Sequence, residues 1–320
     1  MPLSDIIGQE KAITILRGIL TRKKIATSYL FAGENGIGKK TTALNFIKSV
    51  FCETPKNNMD SCEECQSCSK INSGNHPDFI IVSPEDGIIK TEDIKRVEKA
   101  LSTKPFESRG TMVLIDEAET MNTTASNAFL KTLEEPPLNT MIVLVSSRPD
   151  MLPQTIRSRC SVVNFVPLSD NDCKKVVEEK TKEDSPSAII KLSQGRPGIA
   201  LKPKIQKERE QFLSSFKDAL SGGKTTWSTR EDVEKWLDST MMLLRDVIVI
   251  NTTKDMDKII NIDMKDYIIE LSKKTDPAKT IDIYMEINKI RNLMIFNLNK
   301  TITWNYLSLL LQKHFMIKYR

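Results

Sequence analysis

The sequence predicts an α/β nucleotide-binding domain with a parallel sheet, followed by an all-α region, on three observations. A glycine-rich turn within FAGENGIGKKTT, residues 31–42, joins an apolar strand to a helix. Further apolar runs alternate with helical patterns up to residue 168, which is typical of a parallel sheet covered on both faces. Beyond Ser169 the sequence has no strong strand pattern, and helical periodicity continues to its end.

Each element follows from its local pattern. Residues 4–21 predict a helix because apolar side chains recur at helical spacing, and residues 39–51 and 123–135 predict two more. TEDIKRVEKALS, residues 91–102, predicts a helix with Thr91 as its N-cap. Five apolar runs predict strands: TSYLFAG at 27–33, DFIIV at 78–82, TMVLI at 111–115, MIVLVSS at 141–147 and SVVNFVPL at 161–168.

Composition narrows the class of protein. At 320 residues the chain is long enough for two or three domains, and 39% hydrophobic with 28% charged residues is ordinary for a globular protein. Its 47 basic and 42 acidic residues give a net charge of +5, which permits nucleic-acid contact without requiring it. Neither a secretion signal nor an apolar run of membrane-spanning length is visible, so we expect a cytoplasmic protein.

The glycine-rich turn has the spacing of a phosphate-binding loop. Gly33, Gly38 and Lys39 match G-x-x-x-x-G-K-[ST], in which backbone N–H groups surround a triphosphate and the lysine reaches its outer phosphates. The Ser or Thr that should follow, as a Mg²⁺ ligand, is replaced by Lys40. The candidate nucleotide-binding residues of this loop are Gly33, Asn35, Gly38, Lys39, Lys40 and Thr41.

Two carboxylates strengthen the nucleotide-binding interpretation. Asp116 and Glu117 follow the apolar run TMVLI, and at the end of a strand such a pair can hold Mg²⁺ and polarise an attacking water. A solvated pair that caps the next helix is the simpler alternative.

Four of the six cysteines lie close together in the sequence. Cys52, Cys62, Cys65 and Cys68 have the spacing C-x₉-C-x₂-C-x₂-C, which suits a tetrahedral thiolate site for structural zinc. Disulfides are not expected without a secretion signal, and an iron–sulfur cluster would need a fourth cysteine three residues after Cys68. His76 is an alternative ligand, although we expect its HPD segment to cap the turn into the next strand.

Two arginines precede the final predicted strand. In TIRSRC, residues 155–160, Arg157 and Arg159 are either ordinary surface residues or include an arginine finger, a guanidinium supplied to ATP in a neighbouring subunit.

Several segments taken together resemble the clamp-loader branch of the AAA+ proteins. SDIIGQE, the glycine loop, the cysteine cluster, NHPDFIIV, LIDEAE, NAFLKTLEEPP, SSRPDMLPQTIRSRC and GRPGIAL occur in that order over residues 4–201. The resemblance implies an AAA+ domain at 1–166 with a zinc module at 52–68, a helical lid at 167–203 and a helical collar for oligomerisation at 204–320. It also implies a hetero-pentameric ring with other clamp-loader subunits, which loads a sliding clamp onto primed DNA.

Three departures from the family pattern affect the nucleotide site. Lys40 stands at the Mg²⁺ ligand position. Gly198 stands near the place of a lid arginine that senses nucleotide, and Arg196 lies two residues early. Ser146 and Ser147 stand where active relatives resemble Thr or Asn.

These departures leave two hypotheses for the function. The first is a largely non-hydrolysing subunit that fixes ring geometry and donates Arg159 in trans, with ATP and Mg²⁺ binding left open. The resemblance to AAA+ rings implies that Arg159 lies at the carboxyl edge of the sheet as an arginine finger, and Arg157 is expected to form a local ion pair. The second is an enzyme, an ATP-hydrolysing motor subunit that uses Asp116 and Glu117. Intact carboxylates favour the second hypothesis, whereas Lys40 and Gly198 favour the first.

Overall fold

The chain forms two compact units. The computed structural model describes residues 1–56, 59–182, 187–203, 205–225, 227–294, 296 and 298–315. One unit comprises Met1–Glu183 with Gly195–Ile199, and the other comprises Asp184–Gln194 with Ala200–Arg320. The three-part division at 1–166, 167–203 and 204–320 stays a prediction, and its boundary residue 204 lies outside the described residues.

The first unit contains a five-stranded parallel sheet. Its strands are β1 Ser28–Ala32, β2 Phe79–Val82, β3 Thr111–Ile115, β4 Thr140–Ser146 and β5 Ser161–Asn164. They lie in the order β2-β3-β4-β1-β5, and every neighbouring pair is parallel. The three central strands are buried along their whole length, and the two edge strands are partly exposed. All five predicted strands are therefore confirmed as the core of an α/β fold.

Helices cover both faces of this sheet. They are α1 Glu10–Arg22, α2 Lys39–Phe51, α3 Gln66–Asn72, α4 Thr91–Leu101, α5 Thr123–Glu134 and α6 Gln154–Arg157; α7 Asp170–Thr181 follows the last strand. Alternate residues of β1 point to opposite sides: Phe31 packs with side chains of α1 and α2, and Leu30 packs with side chains of α4 and α5. This alternation gives the sheet one apolar core on each face.

The N-cap predicted for α4 is wrong by one residue. Thr91 is the first residue of α4, and Lys90 is its N-cap. The carboxylate of Asp93 accepts a hydrogen bond from the Lys90 backbone N–H at 2.9 Å. The Asp93 carboxylate, inside the first turn, thus accepts a hydrogen bond at the helix start, where negative charge is favourable. The helix therefore does not need a hydroxyl side chain as its N-cap.

The described part of the second unit is helical. Its helices are α8 Ser187–Ser193, α10 Ile205–Ser221, α11 Arg230–Thr253, α12 Lys265–Lys274, α13 Pro277–Leu293 and α14 Lys300–Phe315, while α9 Pro197–Ala200 is divided between the units. Phe216, Trp236 and Trp304 lie in one apolar core with leucines and isoleucines of the long helices. Within the described ranges, the helices are all too short or too polar to cross a membrane.

Candidate functional site

The glycine-rich loop lies at the carboxyl end of β1. Helix α2 begins directly after Gly38, whose φ of 96° is a left-handed backbone conformation that favours glycine. Because β1, β3 and β4 run parallel, the carboxyl ends of β3 and β4 lie at the same edge of the sheet. Asp116 and Glu117 follow β3 there, and Ser146 and Ser147 end or follow β4. The structure thus brings together the site residues that the loop and strand patterns predicted.

Lys40, at the expected Mg²⁺ ligand position, pairs with Asp116. Its Nζ lies 2.9 Å from Oδ2 of Asp116. The other carboxylate oxygen of Asp116 accepts a hydrogen bond from the Glu117 N–H at 3.1 Å. The lysine side chain is about half exposed, and the aspartate side chain is mostly buried. The carboxylate that could bind Mg²⁺ is therefore already paired with a cation of the chain itself.

Lys39 is turned toward its own loop. The residue is 5% exposed, and its Nζ donates a hydrogen bond to the backbone carbonyl of Glu34. Burial lowers the pKa of the Lys39 ammonium, and the carboxylates of Glu119 and Asp116 oppose that shift. The lysine expected to reach the outer phosphates is thus engaged with the loop backbone.

Gly198 packs directly on the glycine-rich loop. Its backbone N–H donates a hydrogen bond to the carbonyl of Gly36 at 2.8 Å. A Cβ atom on Gly198 would lie 2.9 Å from Cα of Gly36, which is too close for an unstrained contact. The Arg196 Nη1 lies 3.5 Å from a carboxylate oxygen of Glu34 in the same loop. Glycine at position 198 therefore permits this close backbone contact, and the side chain of any other residue would push the two segments apart.

Glu119 is a site residue that the sequence analysis did not single out. Its Oε1 accepts hydrogen bonds from the backbone N–H of Ser147, at 3.0 Å, and from the Ser147 hydroxyl. Burial raises the pKa of the Glu119 carboxyl, but the hydrogen bonds outweigh burial and hold the pKa below its usual value. A third acidic residue in DEAE, three positions after Asp116, was the available signal.

The four predicted metal ligands form one cluster. The Sγ atoms of Cys52, Cys62, Cys65 and Cys68 all lie within 4.8 Å of one another, and the cysteines are free thiols. The Cys62–Cys68 and Cys52–Cys65 sulfur distances are 3.9 and 4.0 Å. Thiolates about 2.3 Å from a tetrahedral zinc lie about 3.8 Å apart, so these sulfurs fit such an ion. The cluster is therefore a group that could hold a metal.

The surroundings of the cluster lower the pKa of the Cys62 thiol, whereas burial raises the pKa of Cys52 and Cys68. The backbone N–H groups of Cys62 and Cys65 donate to the sulfurs of Cys52 and Cys62 at 3.3 and 3.2 Å. A hydrogen bond from Thr54 is the main cause that lowers the pKa of the Cys62 thiol to about 6. Burial raises the pKa of Cys68, and a bound cation would offset that cost.

Two acidic side chains fix the cysteine cluster to the rest of the unit. The Asp60 carboxylate accepts hydrogen bonds from the backbone N–H groups of Leu3 and Ser4, both at 2.8 Å. Lys48 of α2 is 2% exposed and lies 2.7 Å from a carboxylate oxygen of Glu63. Since α2 also begins at the glycine-rich loop, one helix connects the loop to the metal-binding segment.

His76 serves as a cap instead of a ligand. Among the described residues, the group suited to a metal consists of the four cysteines. The Nδ1 of His76 accepts a hydrogen bond from the Asp78 N–H at 3.2 Å, and its ring stacks on Phe51 at 4.4 Å. The Asp78 carboxylate in turn accepts hydrogen bonds from the backbone of residues 106–108. The capping role expected for the HPD segment is confirmed.

Arg159 lies at the amino end of β5, on the edge of the sheet opposite the glycine-rich loop. β5 runs parallel to β1, with Ser161 beside Tyr29, so the expected position at the carboxyl edge is wrong. The reason is that the chain after β4 returns to the amino edge before it enters β5. The Arg159 Nη2 lies 2.8 Å from Oε1 of Glu134, and its Nη1 donates to the Thr155 carbonyl at 2.9 Å.

Arg157 forms the local ion pair that was expected. Its Nη1 lies 3.1 Å from Oδ1 of Asp150. Both arginines of TIRSRC are thus paired within the chain, and the ion pairs alone do not distinguish their roles.

The fold and the site define a class of protein. A parallel sheet in the order β2-β3-β4-β1-β5, with a phosphate-binding type of loop after β1 and an acidic pair after β3, is an AAA+ P-loop domain. Here the domain is followed by a region whose described part is helical, and it carries a four-cysteine module between α2 and β2.

The profile of the family described as DNA polymerase III, delta subunit, matches residues 8–169, and the chain belongs to this family. It is 27% identical to the DNA polymerase III subunit delta′ of Bacillus subtilis, over 95% of this chain and 96% of that protein. It is 29% identical to subunit delta′ of Pseudomonas aeruginosa, over 87% and 88% of the two chains. Subunit tau of B. subtilis is 35% identical over 50% of this chain and 28% of its own length. The chain has the role of a clamp-loader subunit of the delta′ type.

Proposed function

We propose that this clamp-loader subunit is a largely non-hydrolysing stator that donates Arg159 to ATP bound by a neighbouring ATPase subunit. The single observation that carries the first part is the ion pair between Lys40 and Asp116. A divalent cation that bridges the phosphate oxygens is central to ATP hydrolysis by P-loop proteins. A lysine ammonium neutralises Asp116 but has no coordination sites with which to bridge phosphates.

The state of the loop supports the same proposal. Lys39 donates to the Glu34 carbonyl, and Gly36 accepts a hydrogen bond from Gly198. A nucleotide whose outer phosphates engage Lys39 would have to replace its hydrogen bond to Glu34, in addition to the Lys40 pair. Asn35 and Thr41 remain proposed loop contacts, and Glu117 remains the proposed water-polarising residue if ATP binds. These costs favour weak binding and slow turnover over efficient hydrolysis.

The position of Arg159 supports action in trans. The five residues of β1 separate the edge with Arg159 from the edge with the glycine-rich loop, about 16 Å at the rise of a strand. Arg159 is therefore too far away to serve a nucleotide on its own loop. Its side chain is 36% exposed and ends in a planar cation that can bond two phosphate oxygens, as a finger at an interface requires.

We also propose the assembly in which this chain functions. The partners are subunits of the gamma/tau and delta types in a hetero-pentamer, with the sliding clamp and primed DNA engaged through the complex. Similarity to subunits named delta′ and tau supports these partners, and replication would place the protein in the bacterial cytoplasm. Residues 1–166, 167–203 and 204–320 are proposed as AAA+ domain, lid and collar.

The proposed metal is structural zinc. Four sulfur donors at tetrahedral spacing satisfy Zn²⁺ without an open position, so Cys52, Cys62, Cys65 and Cys68 would stabilise their segment. No step of ATP hydrolysis is assigned to this ion.

The experiment that tests the proposed function compares two variants in the reconstituted clamp loader. Arg159→Ala should preserve folding and assembly, and should lower DNA-stimulated ATP hydrolysis and clamp loading, because fingers contribute roughly 10³-fold or more. Arg157→Ala, which breaks only the pair with Asp150, is the matched control. Normal clamp loading with Arg159→Ala, or an equal loss with Arg157→Ala, would refute the assignment.

The alternative is an ATP-hydrolysing motor subunit. It is favoured by the intact Asp116 and Glu117 after β3, and by the 35% identity to subunit tau over half of the chain. Turnover by the purified chain distinguishes the two functions, since only a motor subunit has its own ATPase activity.

A further inference from the structure

Arg159 is contacted by a residue from a distant sequence motif. Glu134 is the last residue of α5 and lies in NAFLKTLEEPP, whereas Arg159 lies in IRSRC. We propose that Glu134 is a positioning residue, which holds the Arg159 guanidinium in the orientation that reaches ATP in the neighbouring subunit. This inference rests on the proposed function of Arg159 as a finger.

Two contacts fix the plane of the guanidinium. The Nη2 atom lies 2.8 Å from Oε1 of Glu134 at the end of α5, and the Nη1 atom donates to the carbonyl of Thr155 in α6 at 2.9 Å. A guanidinium carries five N–H groups, so these contacts do not exhaust its donors. The side chain is also 36% exposed. A held Arg159 can therefore still present N–H groups to a phosphate.

The local electrostatics favour this position for a cation. The carbonyl groups at the carboxyl end of α5 carry partial negative charge, and Glu134 adds a full negative charge at the same place. The next residue, Glu135, is exposed and forms no ion pair within the described residues. Glu134 and Glu135 therefore have the same charge and neighbouring positions, but only Glu134 touches the guanidinium.

Positioning follows from the entropy of a long side chain. An unrestrained arginine loses much rotamer freedom when it engages a ligand, and a restraint present before binding reduces that loss. The Glu134 side chain is about half exposed, and such ion pairs are weak. The pair can thus orient Arg159 without competing strongly with the multiple negative charges of a triphosphate.

The test uses the complete clamp loader, reconstituted with sliding clamp and primed DNA. We compare kcat and KM for ATP with the unaltered chain and with Glu134→Ala, Glu135→Ala, Arg159→Ala and the double variant. Glu134→Ala should lower kcat about two- to fivefold, the range that an exposed ion pair can supply, without raising KM. Glu135→Ala should leave both constants unchanged.

The double variant separates positioning from a general structural effect. If Glu134 acts through Arg159, Glu134→Ala should cause no further loss in the Arg159→Ala background. Glu134→Gln, which keeps an oxygen acceptor for Nη2, should retain more activity than Glu134→Ala. A loss that multiplies with that of Arg159→Ala, an equal loss with Glu135→Ala, or a faster rate with Glu134→Ala would overturn the inference.

The two proposals fail in different ways. A normal rate with Arg159→Ala would overturn the finger and, with it, the role of Glu134. A loss with Arg159→Ala together with a normal rate for Glu134→Ala would overturn only the positioning role.

Discussion

Replacing Lys40 by threonine should convert the nucleotide site toward a magnesium-dependent one. The substitution frees the Asp116 carboxylate, whose Oδ2 lies 2.9 Å from Lys40 Nζ, and introduces the hydroxyl that G-x-x-x-x-G-K-[ST] loops use for Mg²⁺. We expect tighter binding of ATP with Mg²⁺ and little change in the folded state.

The expected change in Kd for ATP follows from the exposure of the Lys40–Asp116 ion pair. Because the Lys40 side chain is 47% exposed, the pair contributes at most about 1 kcal/mol to stability. A bound Mg²⁺ no longer has to displace that pair, and about 1 kcal/mol corresponds to about fivefold in Kd. Release of the pair should therefore lower Kd for ATP by up to about fivefold, and the new hydroxyl ligand should lower it further.

Isothermal titration of the full chain with ATP measures this change, in Mg²⁺ and again in EDTA. Lys40→Met removes the charge without adding a ligand and should give a smaller gain. Lys274→Thr breaks a comparable exposed pair with Glu270 in the helical unit, and should change nothing. The same Kd for Lys40→Thr and the unaltered chain, or an equal gain in EDTA, would refute the account of the loop.

Three further predictions concern packing, metal and pH. Gly198→Ala should lower the free energy of unfolding by about 1–3 kcal/mol, because the new Cβ meets the Gly36 backbone. Gly18→Ala is the control: its Cβ would have no heavy atom within 4 Å, so it should raise the free energy of unfolding slightly. Urea unfolding measures both variants. Metal analysis should find one zinc per chain, lost in Cys62→Ser and kept in Cys160→Ser, and iron with sulfide in its place would contradict the site. Asp78 is buried, yet hydrogen bonds from residues 106–108 hold its pKa below the usual value. Its stabilising contribution is therefore present above an unfolded pKa of about 3.9 and is lost as pH falls through the folded pKa. Asp78→Asn should cost about 2 kcal/mol or more near pH 7 and little below the folded pKa; urea unfolding with equal cost at both pH values would contradict this.

The sheet could be predicted from the sequence because burial acts on both faces of its central strands. β3 and β4 are buried at every position, so each had to be a continuous apolar run. The cysteine cluster was also predictable, because short spacing within one segment leaves few ways to separate the four sulfurs. In both cases the signal lies within one short segment of the chain.

The contacts on which the proposed function rests could not be predicted from the sequence. The sequence shows that Lys40 departs from the phosphate-binding loop pattern, but its ion-pair partner Asp116 lies far away in the chain. The Gly36–Gly198 contact and the Glu134–Arg159 pair likewise depend on how helices return to the sheet. The carboxyl-edge expectation for Arg159 is inconsistent with the parallel sheet that the sequence itself predicts, because a residue just before a parallel strand lies at the amino edge.

ATP turnover by the purified chain alone, in excess Mg²⁺, tests directly whether this subunit is a non-hydrolysing stator. With Lys40 on Asp116, Lys39 on the loop backbone and Gly198 against Gly36, we expect no turnover above the rate without protein. Turnover of about 1 per second, ordinary for an enzyme, would contradict the non-hydrolysing stator and establish a motor subunit.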